Sequence, residues 1–183
     1  MKKESFLIFA AIISFHTVSS QQRTLQLGGK LINDLTLYDG YAPGLGGQLV
    51  YRIKKHGGLE TGIYYKLHRT ESIFYTINSA YVADVSEKRI LVPILYRYDS
   101  KIINFNTGVI MEYFVGWKQT SGESNIKITS YHNDSRFGGS AGISKTINVI
   151  PGYILEPEIH FYYVFDQEDG GVCFNISFRK IIF

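Results

Sequence analysis

Past residue 20, apolar and polar side chains alternate in stretches of roughly ten residues, about the length a tilted strand needs to cross a bilayer. Turn residues separate one stretch from the next, and no helical period competes with the alternation. Residues 103–117 carry the pattern most plainly. There Ile103, Phe105, Val109, Met111, Tyr113, Val115 and Trp117 fall on one face, with Asn104, Asn106, Gly108, Glu112 and Gly116 on the other. Further on, Tyr153, Leu155, Ile159, Phe161, Tyr163 and Phe165 oppose Glu156, Glu158 and His160. Leu49, Tyr51 and Ile53 oppose Gln48, Arg52 and Lys54; Ile63, Tyr65 and Leu67 oppose Glu60, Lys66 and His68. Ile90 to Tyr98 carries Leu and Ile on both faces and a Pro93 that suggests a bulge. With Thr24–Ile32, the glycine-rich stretch around Phe137–Ile143 and the run from Val172 through Phe178, the count reaches eight strands.

The connections add a second signal, because short and long ones alternate. Lys55–Gly58, Asp99–Lys101 and Asn148–Gly152, with Pro151 and Gly152, read as short turns. Asn33–Pro43, Thr70–Lys88 and Lys118–Ser135 read as long loops, with a smaller one over Asp166–Gly171. Sorting of this kind suits an all-β, eight-stranded antiparallel up-and-down transmembrane β-barrel, with turns on the periplasmic rim and loops outside.

Composition sharpens which face is greasy. With 14 Tyr, 12 Phe, 18 Gly and 4 Pro the chain favours pleated structure. Glycine and small residues sit on the polar face, as a narrow interior crossed by a few long ionic side chains requires. Aromatics gather near strand ends (Tyr64, Tyr65, Tyr96, Tyr98, Tyr113, Phe114, Trp117, Tyr162, Tyr163, Phe165), where interfacial girdles form. The apolar face is therefore expected to meet lipid. A formal charge of +3, its cations scattered singly, leaves no nucleic-acid footprint. The single Cys173 excludes a disulfide framework and reads as a small side chain inside a strand.

Before residue 20 the pattern is different. Lys2 and Lys3 precede an apolar run from Phe6 to Phe15, and Thr17-Val18-Ser19-Ser20 supplies small residues where a signal peptidase cuts. Residues 1–20 are thus expected to be a cleaved signal peptide, and 21–183 one barrel domain, exported to the outer membrane of a Gram-negative bacterium.

The run Arg89-Ile-Leu-Val-Pro-Ile-Leu-Tyr-Arg-Tyr98, the following Ile103–Gly116 and the end Gly171-Val-Cys-Phe-Asn-Ile-Ser-Phe-Arg-Lys-Ile-Ile-Phe183 resemble the outer-membrane β-barrel proteins of Bacteroidota, the PorT-like group. The resemblance implies barrel form and, for some members, a place in a secretion or envelope machine.

An eight-stranded barrel has an interior that side chains fill, so no solute channel is expected. Its inward charges must pair, because an unpaired charge in a confined space is costly. The residues expected to form this lumen network are Arg52, Glu60, Lys66, Arg97, Glu112, Arg136, Glu156, Glu158 and Arg179. No cofactor, metal or catalytic residue is expected: the histidines lack ligand spacing, and His132 with Ser135 in a loop is a weak candidate for acyl chemistry. The reading is a non-enzymatic barrel in contact with outer-membrane lipid that engages envelope proteins through loops 70–88 and 118–135. A lipid A-modifying enzyme and a secreted lipocalin-like carrier are the alternatives.

Overall fold

The computed structural model describes residues 23–36, 40–53, 55–75, 80–121, 135–165 and 169–182. The leader and the His132 candidate lie outside these residues. Nine strands follow one another: β1 (Thr24–Thr36), β2 (Gly40–Arg52), β3 (Gly57–Tyr75), β4 (Ala80–Tyr98), β5 (Asn104–Gln119), β6 (Arg136–Ser144), β7 (Ile147–Ile150), β8 (Tyr153–Val164) and β9 (Asp169–Ile181). Among the described residues β1 to β5 each pair antiparallel with the next strand, as do β7 with β8 and β8 with β9; β9 pairs with β1, and β6 skips β7 to pair with β8 from Gly138↔Val164 to Ser144↔Glu158. These pairings close a ring of eight long strands. The ninth, β7, is a four-residue flap folded onto the start of β8 at one rim. Its Pro151-Gly152 turn places Gly152 at φ 81°, a conformation glycine adopts without strain.

Side-chain parity holds through the ring. On β1, Gln26, Lys30, Ile32 and Asp34 are buried, while Leu27, Leu31 and Leu35 stand exposed. On the outside, Leu45, Ile63, Phe161 and Phe178 are all about half exposed or more, Ile63 at 65%. The inside instead holds most of the buried polar and charged side chains, including Arg89, Arg97, Arg179, Glu60 and Glu156 at no more than 1% exposure. In water such an arrangement would expose its apolar face and bury its ions, which reverses the normal partition. It is stable only where hydrocarbon surrounds the barrel.

Two inward glycines show why the interior needs small residues. A Cβ on Gly46 would run into the Ile63 carbonyl, and one on Gly108 into the Ile94 carbonyl. The strands approach too closely there for any side chain.

The structure corrects five expectations. Thr70–Lys88 is no loop: β3 and β4 continue as a two-stranded ribbon, paired from Thr70↔Val85 to Tyr75↔Ala80. Likewise Asn33–Pro43 is mostly ladder, paired from Asn33↔Pro43 to Thr36↔Gly40, and β9 already begins at Asp169. The outer face stops being apolar there, but inner-face alternation runs on through Ala83, Val85, Glu87 and Arg89. The ribbon simply rises beyond the apolar band. Pro93 forms no bulge; it faces inward, and the one β4–β5 register shift falls between Lys88 and Arg89. Its strand is apolar on both faces because Leu91, Pro93 and Leu95 line the interior. Tyr64 and Tyr162 leave the expected girdle and point into the lumen, where they line its central cavity.

Candidate functional site: the filled lumen

Inward positions of all eight long strands converge on the axis and sort into three layers. Nearest the rim with the short turns lies a knot of ions. Glu60 on β3 accepts from Lys30 at 2.7 Å, from Gln48 at 2.6 Å and from Arg97 at 3.1 Å. Arg97 on β4 also reaches Asp99 at 2.7 Å and Glu156 on β8 at 2.6 Å, and Arg179 on β9 donates to the same Glu156 oxygen. Glu158 takes Lys30 at 2.6 Å, His160 at 2.6 Å and Asn106 at 2.6 Å. At the rim Arg52 meets the second Asp99 oxygen at 2.8 Å. Four acids, Glu60, Asp99, Glu156 and Glu158, thus face four bases, Lys30, Arg52, Arg97 and Arg179, so the charge of the knot cancels.

Above it is a belt of Ile32, Tyr64, Leu91, Tyr162 and Cys173. The cavity within this belt is only about 40 Å³, room for a water or two and far below the several hundred cubic ångströms of a small-molecule site. Each layer of ions meets the belt through an aromatic face: Lys30 lies 5.8 Å from the Tyr64 ring centre and Lys66 5.5 Å from that of Tyr162.

A second knot follows. Lys66 bridges Asp34 and Glu112, each at 2.6 Å. Arg136 stands opposite Glu112 in the β5–β6 register. Arg89 pairs with Glu87 at 2.7 Å and lies over the Phe114 ring.

Of the residues singled out from sequence, Arg52, Glu60, Arg97, Glu156, Glu158 and Arg179 come together in the first knot; Lys66, Glu112 and Arg136 lie in the second. The expected single network is two, parted by the apolar belt. Lys30, Asp34, Glu87, Arg89 and Asp99 were missed, although parity could have found the first two: Lys30 and Asp34 alternate with Leu27, Leu31 and Leu35 on β1.

One contact chain has the atoms of acyl chemistry. Ser140 Oγ lies 3.0 Å from His160 Nδ1, and His160 Nε2 lies 2.6 Å from Glu158. All three are buried, and the cavity that Ser140 and His160 border, about 40 Å³, is too small for an acyl substrate. Glu158 is moreover committed to Lys30. Among the described residues no cluster of three or more His, Cys, Asp or Glu could hold a metal.

A closed, antiparallel, up-and-down barrel with ions inside and apolar residues outside is the fold of small outer-membrane proteins. Among solved structures the chain is similar to the outer membrane protein OprG from Pseudomonas aeruginosa, with TM-score 0.63, 12% identity, and 88% of this chain aligned with 96% of that one. It also aligns more loosely with AlkL (TM-score 0.49, 11% identity, 91% of this chain and 93% of that chain). The Neisserial surface protein NspA follows at TM-score 0.46 and 14% identity, over 86% of this chain and 96% of that chain. At 12% identity the likeness to OprG supports the fold. No protein-family model matches the chain, and no curated protein matches it by sequence.

Proposed function

We propose that the chain is a non-enzymatic outer-membrane protein of a Gram-negative bacterium, exported by a signal peptide over residues 1–20 and related to the PorT-like barrels of Bacteroidota. Its two ion knots act as a plug that fixes the barrel, and its β3–β4 ribbon with residues 118–135 is the surface offered to envelope partners. The observation that carries this reading is the reversed partition: most ionic side chains inside are no more than a few per cent exposed, and leucine, isoleucine or phenylalanine is exposed on every long strand outside. A soluble carrier would place those residues the other way round. The likeness to OprG supports the same architecture.

Membrane fractionation tests the location. The protein should sediment with the outer membrane and leave it only with detergent; recovery in soluble periplasm or medium would favour the carrier. Protease added to whole cells should cut within 70–88 or 118–135 and spare the rest. Lipid A mass spectra of a deletion strain and of a Ser140→Ala variant should match wild type, whereas a lost modification in both would make Ser140, His160 and Glu158 an active site.

A further inference from the structure

The outer surface carries a feature that a uniform greasy wall would not need. Where β4, β5, β6 and β8 lie side by side, outward positions are small on β5 and β6, at Thr107 and Ala141, and large on the flanks, at Tyr96 on β4 and Phe161 on β8. The result is a trough of about 420 Å³ with Tyr98, Phe105 and Ile143 at its lower end.

Directly below, at the rim with the short turns, lies a second hollow of about 320 Å³ lined by Arg52, Lys55, Lys101 and Lys145. Its one acid, Asp99, is already held by Arg52 and Arg97. Lys145 leaves the outer face two residues after Ile143 and bends onto the β4–β5 turn, where its ammonium donates to the Lys101 and Ile102 carbonyls. Two carbonyls leave its third proton free for another acceptor. The His56 ring, on the rim, lies against Tyr98 in the trough, with centroids 5.8 Å apart. Cationic hollow and apolar trough therefore adjoin where His56 meets Tyr98.

We infer that this surface binds one anionic glycerophospholipid of the leaflet at the turn rim, its phosphate on Lys101 and Lys145 and an acyl chain along Thr107 and Ala141. The inference rests on the barrel spanning a membrane, as proposed above, and names the lipid it selects. Charge complementarity chooses the occupant. A zwitterionic head would bring its own cation into a hollow with no spare acid, and a protein segment would have to cover a trough that opens onto hydrocarbon. Each lysine near an anionic headgroup is worth roughly a fivefold preference.

Native mass spectrometry of the full protein, taken from discs of equal phosphatidylglycerol and phosphatidylcholine, tests this. Wild type should retain one phosphatidylglycerol in clear excess over phosphatidylcholine. Lys101→Ala with Lys145→Ala should lower that preference roughly 25-fold, the product of two such steps. Ala141→Trp, which fills the trough floor, should reduce retention with both lysines in place; if it misfolds, Thr107→Leu fills the same floor. Equal retention of the two lipids by wild type, or unchanged preference in the lysine variant, would overturn the site. Excess inorganic phosphate should leave the lipid bound, and its complete displacement would mean a bare anion site and overturn the role of the trough. Heat-modified gel migration of each sample reports folding separately. Wild type that shows no folded band refutes the barrel itself, whereas a folded barrel without lipid preference refutes only the site.

Discussion

Glu156 sits where three strands meet, accepting from Arg97 of β4 and Arg179 of β9 with no exposed surface of its own. Taking away one partner of a buried ion pair leaves the other charge stranded, at a cost of about 3–5 kcal/mol. Glu156→Ala is thus expected to lower the free energy of unfolding in urea by that amount and to weaken the heat-modified band; an unchanged unfolding curve would mean the knot adds nothing. Glycine makes a sharper residue-scale test, because two neighbours differ. Gly46→Val drives a side chain into the Ile63 carbonyl and the Tyr64 backbone, while Gly47, one residue on, points outward with nothing within 4 Å of a Cβ. The first should abolish folded protein and the second should leave the yield near wild type, both read as the folded fraction on an unheated gel. Parity made most of these residues legible in the sequence: Glu60, Lys66, Glu112, Glu156 and Glu158 could be assigned to the lumen because each alternates with aromatic or aliphatic neighbours. What parity could not give was height. Lys66 and Glu112 lie above the Tyr64–Tyr162 belt, and Arg97 and Glu156 below it. That order depends on strand stagger, which is fixed only by pairings such as Gly44↔Lys66 and Arg97↔Asn106.

At the scale of the element, strand length carries the lesson. The outer faces of β3 and β4 turn polar at Arg69, Asp84, Ser86 and Lys88, and a reading keyed to outward apolarity stops there and makes a loop of the rest. The backbone does not stop, since ladder bonds depend on pairing and not on what the side chains meet. From Val85, where β5 gives out, the ribbon extends a further five residues to Ala80, roughly 17 Å at the usual strand rise. A positive charge should therefore have opposite consequences along one strand pair. Ile63→Arg, in the middle of the greasy face of β3, is expected to cost about 2–4 kcal/mol of folding free energy in vesicles, whereas Ser86→Arg, on the polar outer face just below the ribbon, should cost no more than about 1 kcal/mol. Equal costs would mean that hydrocarbon does not end where the outward side chains say. Pro93 shows the complementary error. A proline amid apolar residues on both faces signals a bulge in a half-wet strand, but here it lines the lumen belt beside Leu91 and Leu95.

The whole molecule is a ring of strands around a neutralised, filled axis. Four acids against four bases in one knot, and a cavity of only 40 Å³ between the knots, fill the lumen between the described strands. Planar bilayers containing the protein are expected to show no stable conductance, and steady openings at low voltage would mean that the knots part. Inside and outside are reversed in this barrel, and removing the amphiphile probes that reversal. Purified protein in detergent should give the circular dichroism of a β-barrel and migrate faster unheated than boiled. Transferred to plain buffer, it should aggregate or unfold, because Ile63, Leu45 and Phe161 would then meet water. A monodisperse, folded monomer in that buffer would contradict the arrangement of every strand.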